Sequence, residues 1–91
     1  MDRLRLRPDL SHCICTVAKR EYWDGVSHLL QTGADDPEIE EKIELLRAFL
    51  ETFECDKLRR ESEPYMARGQ NVVFEVYWQD GRPAYEVKPD Q

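Results

Sequence analysis

The dipeptide Asp80-Gly81 constrains this chain more than any other feature. Asp-Gly favours a two-residue type I′ turn, whose central residues both need positive φ. Strands are expected on either side, from Asn71 to Gln79 and from Arg82 to Lys88. A two-residue loop sets the pairing: Trp78 opposite Pro83, Val76 opposite Tyr85, Phe74 opposite Val87. Side chains alternate with period two, so these six share one face, which is expected to be buried. Glu75, Tyr77, Gln79, Arg82, Ala84, Glu86 and Lys88 take the other face. Turn chemistry and apolar pattern select the same register.

A lone hairpin is marginal in water and needs a third strand or a covering helix. The alternating run Arg3-Leu4-Arg5-Leu6-Arg7 can supply that strand beside residues 72–78. Pro83 decides the side. It falls in a non-hydrogen-bonded pair, so its missing N–H would have pointed outward, which is tolerated on an edge strand. The third strand is therefore expected across from the second hairpin strand.

After Gly33 the chain carries helix-start signals. Asp35 and Asp36 are candidate N-caps, Pro37 suits the first turn, and Glu38 completes a capping box with Asp35. Ile39, Ile43, Leu46, Leu50 and Phe53 recur at spacings of four and three, within an arc of about 80° on a helical wheel. Phe49 widens this stripe. Glu40, Glu44, Arg47, Glu51 and Glu54 fall opposite. A helix is predicted from about Pro37 to about Arg60, interrupted by Ser62-Glu63-Pro64, with a short helical turn possible before Gly69.

The first third is less regular. Leu10, Cys13, Ile14, Val17 and Ala18 share one helical face. Tyr22, Trp23, Val26, Leu29 and Leu30 share another, rotated by roughly 140°. A helix from about Asp9 to Thr32, bent in the middle to bury both sets, is the preferred reading. A strand over residues 12–17 is the alternative, because Cys13-Ile14-Cys15-Thr16-Val17 is rich in β-formers. A hairpin at Asp24-Gly25 leaves neither face apolar and is rejected. Gly33 reads as the helix stop.

Ninety-one residues fit one domain over 1–91 with a thin core. The expected class is α+β: two to three N-terminal helices packed on a C-terminal β-hairpin, which residues 3–7 can extend to a three-stranded sheet. No apolar run approaches membrane-spanning length, and no secretory leader is expected. The three cysteines, Cys13, Cys15 and Cys55, are an odd number, read as reduced thiols in a cytoplasmic protein. The net charge of −6 disfavours general phosphate-backbone binding. Residues 35–63 hold eleven acidic and five basic side chains and so carry the whole excess.

The chemistry-bearing residues do not assemble into a motif. His12-Cys13-x-Cys15 resembles half a zinc site, but only His28 and Cys55 remain as distant ligands, so the thiols read as packing residues. Cys55 beside Glu54 and Asp56 lacks the electropositive setting of a nucleophile. The carboxylates of the long helix read as a solvated face. Nucleotide and hydrolase motifs are absent. No catalytic, cofactor-binding or metal-ligating residue is assigned, and no small-molecule substrate is inferred. The expected function is that of a non-enzymatic interaction or accessory protein, whose partner is another protein or, as a homodimer, a second copy. Ala84, Tyr85, Glu86 and Val87 on the edge strand, with Tyr77, are the expected contact residues. A small nucleic-acid-associated regulator using Arg3, Arg5 and Arg7, with Lys19 and Arg20, is the alternative.

Overall fold

A computed structural model describes residues 3–9, 11–33 and 36–90. The elements run β1 (Leu4–Leu6), α1 (Ile14–Thr32), α2 (Pro37–Thr52), α3 (Cys55–Met66), β2 (Val72–Gln79) and β3 (Arg82–Pro89). The sheet is antiparallel with β2 in the centre, in the order β1-β2-β3. This is the α+β arrangement read from the sequence.

The hairpin forms as its turn dictates. Asp80 and Gly81 have φ of 53° and 76°, the positive values a type I′ turn needs. Trp78 pairs with Pro83, Val76 with Tyr85 and Phe74 with Val87. Leu4 and Leu6 pair with Val76 and Phe74 on the far side of β2, as the Pro83 argument requires. The buried face of the sheet is closed by α1, α2 and α3. Leu6, Ile14, Ala18, Leu45, Leu46, Phe49, Leu58, Phe74 and Val76 form one core. Trp78 departs from expectation: it is 38% exposed, because it lies at the hairpin tip beyond that core. Alternation assigns a residue's face, not its depth.

The helices differ more from expectation. Helix α1 begins at Ile14, not at Asp9, and residues 12–17 are not a strand. The preceding chain is turned by Asp9, whose carboxylate accepts from the amides of Ser11 and His12 at 2.8 and 2.7 Å. Leu10 lies outside the described residues. The helix leaves its second apolar set partly unburied, with Trp23 61% and Leu30 79% exposed. Gly25 faces α2: a Cβ there would sit 3.0 Å from Cγ1 of Ile43, so the glycine permits close helix packing.

Asp36 caps α2 by accepting from the amides of Glu38 and Ile39, and Pro37 occupies the first turn. Asp35, the other expected cap, lies outside the described residues. The buried line of α2 is Leu45, Leu46 and Phe49, with Ile39, Ile43 and Leu50 half-buried. Instead of running to Arg60, the helix ends at Thr52. Phe53 is extended, at φ −109° and ψ 135°, and its ring packs on Tyr85 at 4.8 Å between centroids. A new helix, α3, then starts at Cys55 and runs through Pro64.

The cysteines also depart from expectation. Cys15 and Cys55 form a disulfide, with Cα atoms 5.8 Å apart, so they are not reduced packing thiols. The bond joins the first turns of α1 and α3, two helix starts that no sequence spacing brings together. Cys13 is free and exposed.

Candidate functional site

The site is built on the open edge of β3. The amide of Asp90 donates to the carbonyl of Asn71 at 2.8 Å, which sets the parity of the ladder. Ala84, Glu86 and Lys88 therefore turn their backbone groups toward β2. Pro83, Tyr85, Val87 and Pro89 turn theirs outward. Proline has no N–H, so the outward donors between the two prolines are those of Tyr85 and Val87. The edge is thus limited at both ends and competent for strand pairing in its middle.

Helix α3 stands beside this edge. Between them runs a groove of about 600 Å³ lined by Glu61, Pro64, Tyr65, Arg68, Tyr85 and Val87. Tyr85 is its fixed floor. Its ring meets Phe49, Phe53 and Phe74 at 5.8, 4.8 and 5.8 Å. Its hydroxyl donates to Glu61 at 2.5 Å. Burial, and then the bond to Glu61, push the phenol well above its ordinary value of 10. Tyr85 therefore serves as a neutral hydrogen-bond donor.

The five residues singled out in the sequence divide between the two faces of the sheet. Tyr85 and Val87 line the groove. Ala84, Glu86 and Tyr77 lie on the other face. There Glu86 pairs with Arg3 at 3.0 Å and Lys88 at 3.3 Å. The Arg3 guanidinium lies 4.1 Å from the centre of the Tyr77 ring. Glu75, only 8% exposed, occupies the centre of this face, contacting Arg3, Lys88 and Arg5 at 3.1, 3.0 and 3.5 Å. Bonds from Lys88, then Arg3, hold its carboxyl below the usual range. Arg7 pairs with Asp90 at 2.7 Å. The three N-terminal arginines are thus engaged by carboxylates of the chain itself.

Sequence reasoning missed most of the α3 wall. Glu61, Pro64 and Arg68 carry no local signal, because Ser62-Glu63-Pro64 reads as a helix end. Tyr65 does carry one, as an aromatic following a proline.

On its other side α3 borders a second groove, of about 760 Å³. It is lined by residues that include Pro8, Cys13, Thr16, Arg59 and Met66. The Cys13 sulfur lies 3.3 Å from the Thr16 hydroxyl, which with the Thr16 amide lowers the thiol pKa. Among the described residues, no three His, Cys, Asp or Glu side chains converge to hold a metal ion. No described helix is long and apolar enough to cross a membrane.

No curated protein matches this chain, and no solved structure does. A family model matches residues 2–86, which span both hairpin strands through Glu86 and all three helices. The chain therefore belongs to that family.

Proposed function

We propose that this chain is a non-enzymatic interaction module that takes an extended segment of a partner protein as a fourth strand along β3. The observation that carries this reading is the conjunction of an open edge and a walled groove. The amides of Tyr85 and Val87 and the carbonyls between Pro83 and Pro89 offer main-chain pairing. The α3 wall offers side-chain contacts at alternate positions of an added strand. Strand addition uses this division of labour: the main chain supplies affinity and the flanking pockets supply selectivity. Pro83 and Pro89 limit the paired stretch to about 20 Å, at about 3.4 Å per residue. Arg68 in the wall favours a segment with a carboxylate at the residue facing it.

Homodimerisation through the same edge is the variant of this reading in which the segment is the β3 of a second copy. The nucleic-acid alternative has less support, since Arg3, Arg5 and Arg7 are already paired with Glu75, Glu86 and Asp90. A cytoplasmic setting, read from reduced thiols, loses that support because Cys15 and Cys55 are bonded, and cell fractionation tests it.

The experiment is selection of short peptides from a random displayed library, followed by calorimetry and amide-shift mapping. Selected peptides should shift residues 83–89 and 61–68 together. Val87→Pro removes an outward donor while leaving the ladder to β2 intact, and should weaken binding by tenfold or more. Arg68→Glu, on an exposed side chain, keeps the fold and should weaken acidic peptides most. Peptides that map elsewhere would sink the proposal. Sedimentation equilibrium reads the dimer variant: self-association abolished by Val87→Pro makes the occupant a second copy.

A further inference from the structure

We infer that the Cys15–Cys55 disulfide is a reducible latch that holds α3 against α1 and so sets the groove beside β3. The inference rests on the strand-docking reading for its functional consequence, but not for the latch itself.

The position of the bond carries the argument. It joins the second residue of α1 to the first residue of α3. Helix α3 has few other anchors. Of its twelve residues only Leu58 and Ser62 are buried. The residue before it, Glu54, makes no side-chain cap bond, and Pro64 removes one internal hydrogen bond. Tyr85 adds one contact, to Glu61. A helix so lightly held belongs to the part of a structure that opens locally at low cost. The remaining core is contributed by the sheet, α1 and α2, so it does not depend on α3 beyond Leu58.

The two bonded cysteines differ in exposure. Cys55 is exposed, whereas Cys15 is 4% exposed. An incoming thiolate therefore reaches the Cys55 sulfur, and Cys15 is the leaving group.

The chemistry is ordinary thiol–disulfide exchange with a low-molecular-weight thiol as reductant. The external thiolate bonds to Cys55 Sγ, the Cys15–Cys55 bond breaks, and Cys15 leaves with the electron pair and takes up a proton. A second external thiolate attacks the mixed disulfide and releases Cys55. Two electrons pass to the protein, and two external thiols become one disulfide.

The consequence follows from what α3 and the turn after it line. Glu61, Pro64, Tyr65 and Arg68 wall the β3 groove, and Arg59 and Met66 line the groove on the other side. Releasing the start of α3 loosens both walls without touching the β3 edge.

The test is hydrogen exchange on the full chain, oxidised and then treated with millimolar reduced glutathione. Amides of residues 58–68 should exchange at least tenfold faster after reduction, while those of β2 and of Ala84, Glu86 and Lys88 stay protected. Cys55→Ser should reproduce this without reductant, and Cys13→Ser should leave the oxidised pattern unchanged. Peptides selected against the oxidised chain should bind the reduced chain at least tenfold more weakly. Unchanged α3 exchange overturns the latch, as does acceleration of all amides together, which would make the bond a global staple. A disulfide that resists glutathione also overturns it. Equal peptide binding by both forms overturns the coupling to the groove. If α3 loosens but no peptide binds either form, the latch stands and the strand-docking reading falls.

Discussion

The two faces of the central strand are closed by different chemistry. Toward the helices, Phe74 and Val76 are fully buried among Leu6, Phe49 and Leu58. Toward solvent, the neighbouring Glu75 is nearly as enclosed, but by the side chains of Arg3, Arg5 and Lys88. Burial is similar and its basis is not. Apolar burial stabilises through removal of surface from water, with no charge to titrate or to screen. An ion-pair cover at a wet surface gives less and depends on pH and salt. The faces should therefore respond differently to the same perturbations.

The largest expected effect is on the apolar face. Phe74→Ala empties the centre of the core and should cost about 3–5 kcal/mol. Chemical denaturation measures it, and the loss should be the same at low and high salt. A loss below about 2 kcal/mol would mean that the core collapses around the cavity.

A smaller effect is expected at the hairpin tip, where the two faces are most alike. Trp78 points to the helix side yet is 38% exposed, whereas Tyr77 points outward and is half-buried beneath Arg3. Trp78→Ala should cost about 1–2 kcal/mol, well short of a fully buried aromatic. Tyr77→Ala should approach that value, since it loses both ring contact and the cation–π pair. If Trp78→Ala costs about 3 kcal/mol or more, the helices cover the tip more than the exposure shows.

These contrasts mark what was legible in the sequence. The hairpin register, the third strand and its side were readable because Asp80-Gly81, Pro83 and period-two alternation are local signals. The depth of Trp78 was not, because it depends on how far α1 and α2 reach. The end of α2 was not, because Phe53 leaves the helix to pack on Tyr85, thirty-two positions away, while Pro64 gives a stronger local stop that α3 absorbs. The disulfide required knowing that the starts of α1 and α3 meet. Of the candidate site, the edge strand was legible and the wall was not, since α3 was not foreseen as a separate helix.

The ionic face should reveal itself in acid. Both Glu75 and Glu86 titrate below their ordinary value of 4.5, through bonds first from Lys88 and Arg3 respectively. A carboxylate with a depressed folded-state pKa contributes stability that is fully present above its unfolded value and lost as pH falls through the folded one. Wild type should thus lose stability below about pH 4.5 more steeply than Glu75→Gln. The difference should shrink as salt screens the exposed cations. Thermal melts between pH 7 and pH 3 read both. Parallel pH profiles would show that the pairs on this face contribute nothing, leaving only the apolar side.

The smallest effects belong to the outer side of α2, far from either sheet face, and they carry a sign. Glu40 and Glu51 are both exposed. Glu40 lies in the first turn, where a negative charge meets the positive end of the helix dipole. Glu51 lies in the last turn, where the interaction is unfavourable, and its pair with Arg47 is long at 3.7 Å. Charge reversal should therefore act in opposite directions. Glu40→Lys should lower the melting temperature by about 1–3 °C, and Glu51→Lys should leave it unchanged or raise it by about 1–2 °C, given the shifts typical of a domain this small. Calorimetry at low salt resolves such differences. A drop of many degrees in either variant would place a partner on that carboxylate and would make this side of α2, like the Glu75 face, one that ion pairs hold together.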